Sequence, residues 1–573
     1  MLVVGSCLSE SLASHFRIAA NGCPCDFILF NNLSELPPSP PYPFPDYDFQ
    51  LIQLPLRFLL PDVEFFLMPY SDIEAHARLF ENIKPRLQHY LHLAMRWNSE
   101  HGLLTFVSNF FVPQQGPLGR LLPSQDLRNP VYLVEQINAL LAKEIQRYSN
   151  AFLINVDQIA ATFGKAYVQD DTVNVLSHGS ILPQDYYDLD DDLKERLPPL
   201  NALFEINFAR FANAVWLEMC AMVRTVRQID QVKLVVVDLD NTLWRGVAAE
   251  ELGMRSNDEV EGWPLGIIEA LQFLKRRGVL LAIISKNDEG RIRRLWDQIM
   301  FGRLSLDGDF VMRRINWLPK AQNLSEILQE LNLLPKSVVF VDDNPVERSG
   351  IETAFPGIRT LGANPYLVRQ ILLWAPETQV ASITAESAKR TEMVHAQLKR
   401  EEVRGRLSAE EFLSTLNVKI KLSQIDSAAD TKLFRTLELI NKTNQFNTTG
   451  RRWTLEGCAK AISENSRFFV FEVQDRFTNY GLVGVAILQG NRIEQFVMSC
   501  RVFGLGVEKA VIAELSHRMG GEPIIGRLKQ TEANLPARDL YARCGFSENG
   551  DDWIRPPGKP VEMPSHVELN HLS

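Results

Sequence analysis

The chain has 573 residues, enough for about three to five domains at ~100–200 residues each. Apolar residues make up 46% and charged residues 23%, which excludes a disordered chain. The net charge of −10, from 60 Lys+Arg against 70 Asp+Glu, argues against a general nucleic-acid binder, which needs a basic excess to displace phosphate counterions.

LVVG (2–5) is predicted as a first strand, with a helix from Ser9. The opening MLVVGSC ends in a cysteine, as a lipoprotein cleavage box does. Only six residues precede Cys7 and none is basic, too little for a secretion signal. No apolar run reaches the ~20 residues of a membrane span. PPSPPYPFP (37–45) can be neither helix nor central strand. Ile73–Trp97 has helical spacing, LLTFVSNFF (103–111) reads as a buried strand, and Tyr132–Tyr148 as a helix. AFLINVD (151–157) is strand-like and Leu203–Arg227 a long helix. Residues 1–230 are therefore expected to form an α/β layer domain.

Residues 231–375 alternate most cleanly. VKLVVVD (232–238), VLLAIIS (279–285), SVVFVD (337–342) and Ile358–Leu361 are predicted strands, with helices at 265–277, from Glu289, and at Lys320–Leu331. An open doubly wound parallel sheet follows, with its ligand site at the carboxyl ends of the strands. Residues 376–415 are polar and helical, and their charge run reads as a solvated linker face. Ser408 with Glu411 fits a capping box. Residues 416–573 mix strands (418–423, 467–474, 482–488, 492–499) with helices (430–442, 506–519, 536–543), an α+β pattern. The fold class is α/β and multidomain. The seven cysteines (7, 23, 25, 220, 458, 500, 544) are odd in number and scattered, which fits reduced thiols in a cytoplasmic protein better than a disulfide framework. Cys23 and Cys25 lack a second pair, so no zinc site is expected.

The chemistry concentrates in VVVDLDNTLW (235–244), where a strand ends in Asp-x-Asp-x-Thr. Alternate positions on an extended backbone point the same way, so Asp238 and Asp240 are expected to share a pocket. Two crowded carboxylates are costly without a cation. Mg²⁺ suits hard oxygen ligands together with a phosphate. Asp238 is the candidate nucleophile and Asp240 the candidate acid/base.

This pattern resembles the haloacid dehalogenase (HAD) phosphatase superfamily, and its further motifs arrive in order. IISKN (283–287) supplies Ser285, whose hydroxyl the resemblance assigns to phosphate. WLPKAQN supplies Lys320 as positive charge at phosphate. VFVDDNPVER (339–348) supplies Asp343 as metal ligand, with Asp342 as its supporter. Asp238, Asp240, Asp342 and Asp343 are thus the expected metal set, and Asn241, Thr242, Lys286 and Asn287 join Ser285 and Lys320 around phosphate. The interval between Asp238 and Ser285 leaves little chain for a large cap domain, which implies a pocket open to a bulky or protein-borne substrate.

In RVFGLGVEKAVIAEL (501–515), Arg501, Gly504 and Gly506 form R-x-x-G-x-G at a helix start, where backbone N–H groups can cradle phosphate. With Tyr541 and Gly545-Phe546 downstream, this resembles the GNAT acyltransferase fold, which binds the phosphopantetheine arm of coenzyme A.

Over nearly its whole length the chain resembles the FkbH family, HAD subfamily IIIC with an SGNH-hydrolase-like amino-terminal region and a GNAT-like tail. The resemblance rests on DLDNTLW, ISKND, FVDDNPVER, NQFNTT (444–449), LVGVA (482–486) and SCRVFGLGVE (499–508). It implies removal of phosphate from 1,3-bisphosphoglycerate and loading of the glyceryl unit on an acyl carrier protein. It also implies domains at 1–230, 231–375 and 416–573, joined by a helical linker at 376–415. Arg501, Gly504, Gly506, Asn444 and Asn447 are its expected contacts to pantetheine, and Cys500, beside Arg501, is the candidate relay thiol.

Two features depart from the family. Arg245-Gly246 stands where Gly-Gly is usual, and VAAEELGMRSNDEVEGWP replaces an acidic Gly-rich segment, which places donor identity in doubt. In GSCLS (5–9), Ser6 and Cys7 occupy the Asp and Ser places of the SGNH block, and SHGS (177–180) is a poor substitute for its Asp-x-x-His. The first domain is therefore expected to dock rather than hydrolyse, with Cys7 a second candidate thiol. His15, His178 and His395 are isolated, and Trp453 and Phe446 read as packing residues. The rival readings are a small-molecule phosphatase with a vestigial tail, an acetyltransferase with a regulatory HAD domain, and a carrier-protein scaffold.

Overall fold

The computed structural model describes the chain except for residues 7–8, 20–23, 31–34, 115, 120, 122, 170, 172–199, 249–258, 405–407, 428–429, 444, 521, 532–533, 559–560 and 572–573. It divides into two compact units, Met1–Met222 and Val223–Ser573. Among the described residues, no helix is long and apolar enough to cross a membrane.

The first unit is built on a parallel sheet of β1 (Leu2–Gly5), β2 (Asp26–Leu29), β3 (Gln50–Ile52), β4 (Thr105–Ser108) and β5 (Ala151–Ile154), in the order β2-β1-β3-β4-β5. Helices Ser9–Ala19, Ile73–Ala94 and Pro130–Ile145 supply the crossover packing that parallel strands require. The proline-rich stretch carries one 3-10 turn, Phe44–Asp46, and otherwise no regular structure. Ser6 is buried at the end of β1; Cys7, Cys23 and SHGS with His178 lie outside the described residues.

The second unit holds two sheets. The first runs β6 (Leu234–Val237), β7 (Leu280–Ser285), β8 (Met312–Ile315), β9 (Val338–Val341) and β10 (Arg359–Leu361), all parallel, in the order β10-β9-β6-β7-β8. Its continuous apolar strands follow from burial on both faces. Val235, Val237, Leu281, Ile283, Val339 and Val341 pack into one core. The alternate residues Leu234, Val236, Leu280, Ala282, Ile284, Val338 and Phe340 pack into another. β6 lies at the centre, between β9 and β7, so three strand ends converge where Asp238 begins.

The second sheet has eight strands: β11 (Val418–Ile425), β12 (Arg467–Gln474), β13 (Asn479–Gln489), β14 (Arg492–Met498), β15 (Ile524–Arg527), β16 (Ser547–Asn549), β17 (Asp552–Arg555) and β18 (Val567–His571). β11 to β14 form an antiparallel meander. β14 and β15 are parallel and pair only at Arg492–Ile525 and Ile493–Gly526, so the rest of β14 runs on without β15. That free edge is taken by the chain itself. Thr448 N–H donates to the Phe496 carbonyl at 3.0 Å, and Met498 N–H to the Phe446 carbonyl at 2.9 Å.

The expected linker is a correction. Helix Arg390–Arg404 keeps Glu392, Lys399 and Glu401 exposed, as a solvated face would, but it also buries Thr391, Met393, Ala396 and Arg400. Val394 and Leu398 pack against the core behind β6, β7 and β9. Arg400 reaches the other way: its guanidinium donates to the Tyr480 hydroxyl at 2.5 Å and to the Arg501 carbonyl at 3.2 Å, and lies 3.5 Å from Asp475. The sequence reading took every charge of the run for an exposed one; Arg400 is instead paired inside. The capping box at Ser408 and Glu411 is present.

Removing one member of a buried ion pair leaves the other uncompensated. Arg400→Met is expected to cost about 3–5 kcal/mol, read as a lower denaturant midpoint at unchanged m-value.

Candidate active site

Asp238 follows β6 directly, and its backbone N–H donates to the Val341 carbonyl of β9 at 2.9 Å. The residue is 6% exposed. Lys320 opens helix Lys320–Leu331 and is 4% exposed, an unusual burial for an ammonium. It is held by two carboxylates, Asp238 Oδ2 at 2.9 Å and Asp342 Oδ2 at 2.6 Å. Asp342, just after β9, is fully buried, and its Oδ1 accepts the Asn344 N–H at 2.9 Å. Asp343 stands at the exposed rim, its N–H donating to the Thr242 hydroxyl at 3.1 Å.

Asp238, Asp342 and Asp343 each offer an oxygen, all within 4.8 Å of one another. Three carboxylates against one ammonium leave two negative charges in the pocket. Burial pushes the Asp238 carboxyl up, Lys320 pulls it down and Asp342 pushes it up again. Burial likewise raises Asp342. For Lys320, burial works downward, but the flanking Asp238 and Asp342 carboxylates raise it overall.

Asp238 Oδ1 is buried with no hydrogen-bond partner. A buried carboxylate oxygen left bare is costly, and a cation relieves that cost. The oxygen-only donor set, the residual charge and this bare oxygen together fit a hard divalent ion such as Mg²⁺. Asp238, Asp342 and Asp343 are the side chains placed to hold it.

Asp240 does not join them, which corrects the expected four-carboxylate set. Its Oδ1 accepts the Trp244 indole N–H at 3.0 Å and the Ala248 N–H at 2.9 Å, and its Oδ2 accepts the Asn287 amide at 2.9 Å. The chain leaves extended geometry at Leu239, and Asn241 has φ 52°, so the alternation argument stops at Asp238. Asp240 remains beside the pocket through Asn287, whose amide also donates to Ser285 Oγ at 3.0 Å. Ser285 ends β7 and is 2% exposed. Trp244, Ala248 and the linking role of Asn287 were not read from the sequence. The tryptophan four residues after Asp240 is the signal that could have shown the first of them.

The other expected phosphate residues scatter. Thr242 is buried and ties down the Asp343 loop. The Asn241 side chain accepts the Gly246 N–H at 3.0 Å and closes its own loop. Lys286 turns to Glu347 at 2.6 Å.

In the eight-stranded domain, two expected pantetheine contacts are occupied within the chain. Asn447 is buried; its amide donates to the Thr443 carbonyl, and its Oδ1 accepts from Gly450 N–H and Gln495. Arg501 donates to Ser499 Oγ, Met393 Sδ and the Tyr480 carbonyl. Gly504 and Gly506 have φ 75° and 74° and lead into helix Val507–Arg518, a conformation glycine adopts without a Cβ penalty. Asn444 and the Cys500 side chain lie outside the described residues. Burial pushes the Cys458 and Cys544 thiols up to about 11 and about 12, which makes both poor nucleophiles.

No family model matches the sequence, and no curated protein matches it. Among solved structures, the chain is similar to the N-terminal part of BF1531 from Bacteroides fragilis, containing a phosphatase domain complexed with Mg. The identity is 22% over 66% of this chain and 94% of that one, with a TM-score of 0.44. It is also similar to 3-deoxy-D-manno-octulosonate 8-phosphate phosphatase from Moraxella catarrhalis, in complex with magnesium, phosphate and KDO. There the identity is 16% over 27% of this chain and 90% of that one, with a TM-score of 0.19. The cobalt-bound phosphatase YrbI from Haemophilus influenzae is 15% identical over 32% of this chain and 99% of that one, with a TM-score of 0.18.

Two outcomes check this geometry. Mg²⁺ at a hundredfold excess over its dissociation constant is expected to stabilise the protein by about 2.7 kcal/mol, read as a raised Tm, and Asp343→Asn should remove most of that shift. Gly362, after β10 at φ 119°, packs so closely on the Asp342 backbone that a Cβ would overlap it. Gly362→Ala is expected to destabilise by about 2 kcal/mol and to weaken the Mg²⁺ response as the Asp342 loop shifts.

Proposed function

We propose that the chain is a magnesium-dependent phosphatase of the HAD type. The observation that carries this reading is the convergence of Asp238, Asp342, Asp343, Lys320 and Ser285 at the carboxyl ends of β6, β7 and β9. Bound Mg²⁺ would neutralise negative charge on the phosphoryl oxygens and on the carboxylates around them.

The chain's own groups supply the rest. An Asp238 carboxylate oxygen attacks phosphorus, forming an O–P bond as the bond to the leaving oxygen breaks. Asp240, in its protonated form, gives its proton to that oxygen. Trp244, Ala248 and Asn287 fix the Asp240 carboxyl while it does so. Lys320 and Ser285 hold the phosphoryl group. In the second half, Asp240 takes a proton from water, the water oxygen bonds to phosphorus, and the bond to Asp238 breaks, releasing phosphate.

The finer reading names the donor and the acceptor. The substrate is 1,3-bisphosphoglycerate, and the glyceryl unit passes to the phosphopantetheine thiol of an acyl carrier protein. Support comes from the sequence resemblance across 440–546 and from the glycine-led start of helix Val507–Arg518. Cys500, opening the turn after β14, is the relay thiol in this reading: its thiolate sulfur bonds to the acyl carbon as the acyl C–O bond breaks and phosphate leaves, and the carrier thiolate then bonds to that carbon as the bond to Cys500 breaks.

A second reading is favoured by a specific observation. Phe446–Thr448 occupies the free edge of β14, and Asn447 and Arg501 are committed to internal hydrogen bonds. A small-molecule phosphatase whose eight-stranded domain takes no pantetheine at that edge accounts for this directly.

One experiment tests both. The full chain is incubated with Mg²⁺, 1,3-bisphosphoglycerate and holo-carrier candidates, with phosphate release and intact carrier mass followed together. A glyceryl mass on the carrier thiol supports transfer; phosphate release with an unchanged carrier supports the second reading. Asp238→Asn is expected to lower phosphate release at least about a thousandfold, and unchanged release would refute the phosphatase.

A further inference from the structure

One charged pair beside the pocket has no part in the steps above. Lys286 follows Ser285 at the end of β7, and Glu347 lies in helix Pro345–Ala354, which follows β9. Their side chains meet at 2.6 Å. β6 lies between β7 and β9 and carries Asp238. Adjacent strands are about 4.8 Å apart, so this pair joins chain segments rooted about 10 Å apart, on opposite sides of the phosphoryl site.

The nearby cations are otherwise employed. Arg348 donates to the Asp342 and Asp343 carbonyls, and Arg245 donates to the Glu261 carbonyl and stacks on Trp263. Lys320 is buried between Asp238 and Asp342. Lys286 is different, with a side chain 42% exposed and a single carboxylate partner, itself 19% exposed. A half-exposed ion pair contributes little to stability. Exchanging the Glu347 carboxylate for another anion therefore costs little, and the long lysine side chain can swing to meet it.

We infer that Lys286 recognises a second anionic group on the substrate, a carboxylate or a further phosphate, and that Glu347 holds its place until substrate arrives. The inference rests on the phosphatase reading and adds to it a residue that selects substrates: Lys286 would favour phosphate compounds bearing a second negative charge a few bonds from the reacting phosphorus. The phosphoryl group enters among Ser285, Lys320 and the carboxylates, while the second anion stays at the rim. Lys286 then sets KM for such substrates rather than the rate of phosphorus chemistry.

The test uses two esters of similar size, 3-phosphoglycerate, which carries a carboxylate, and glycerol 3-phosphate, which carries an alcohol in its place. Acetyl phosphate is included to show whether the phosphoryl site itself works. With Mg²⁺ and the full chain, the wild type is expected to favour 3-phosphoglycerate in kcat/KM by roughly fivefold or more. Lys286→Met should bring that ratio close to one, chiefly through KM, and Glu347→Gln should raise it. A ratio unchanged in Lys286→Met, or equal losses on both esters, overturns the inference while acetyl phosphate turnover leaves the phosphatase standing. Failure of the wild type on all three substrates overturns the inference, and absence of phosphate release from 1,3-bisphosphoglycerate as well overturns the phosphatase reading.

Discussion

The Lys320 ammonium, wedged between two buried carboxylates, is the interaction on which this molecule depends. It draws together β6 through Asp238, β9 through Asp342 and the start of helix Lys320–Leu331. None of these charges is tolerable alone at such burial. With Asp343 at the rim they remain unbalanced by two negative charges, and the bare Asp238 Oδ1 shows where the imbalance falls. The fold thus supplies a pocket whose own electrostatics call for a divalent cation.

That pocket can be so highly charged because the sheet beneath it is so apolar. β6, β7 and β9 bury both faces, which fixes their register and leaves polar residues only at their ends. The Asp240 side of the site depends on this register too. Asn287, after β7, bonds to both Ser285 and Asp240, so a slip of one strand against the other would break the link between that carboxylate and that hydroxyl.

What was legible in the sequence follows the same physics. β6, β7 and β9 stood out as unbroken apolar runs, Asp238, Ser285, Asp342 and Asp343 stood out as polar residues at the ends of such runs, and Lys320, at a helix start, stood out only through the resemblance to the HAD motifs. β8 was missed because Met312–Ile315 carries two arginines that pair with Asp307, Glu326 and Glu330 at the sheet edge, which hides any apolar pattern. The orientation of Asp240 was misread because it depends on a bend at Leu239 that no residue spacing encodes. The internal bonds of Asn447, Arg501 and Arg400 were out of reach for a different reason. Their partners, such as Gln495, Met393 and Tyr480, lie 48 to 108 residues away, and a local reading of charge or motif cannot see them.

Helix Arg390–Arg404 belongs to two cores at once. Its apolar residues floor the parallel sheet, and its buried arginine completes the eight-stranded sheet beside Asp475 and Tyr480. A break anywhere in this helix would strip a wall from one half or strand a charge in the other. The parallel-sheet half and its companion therefore share one structural element, and a chain cut within it would leave neither half with its full set of packing contacts.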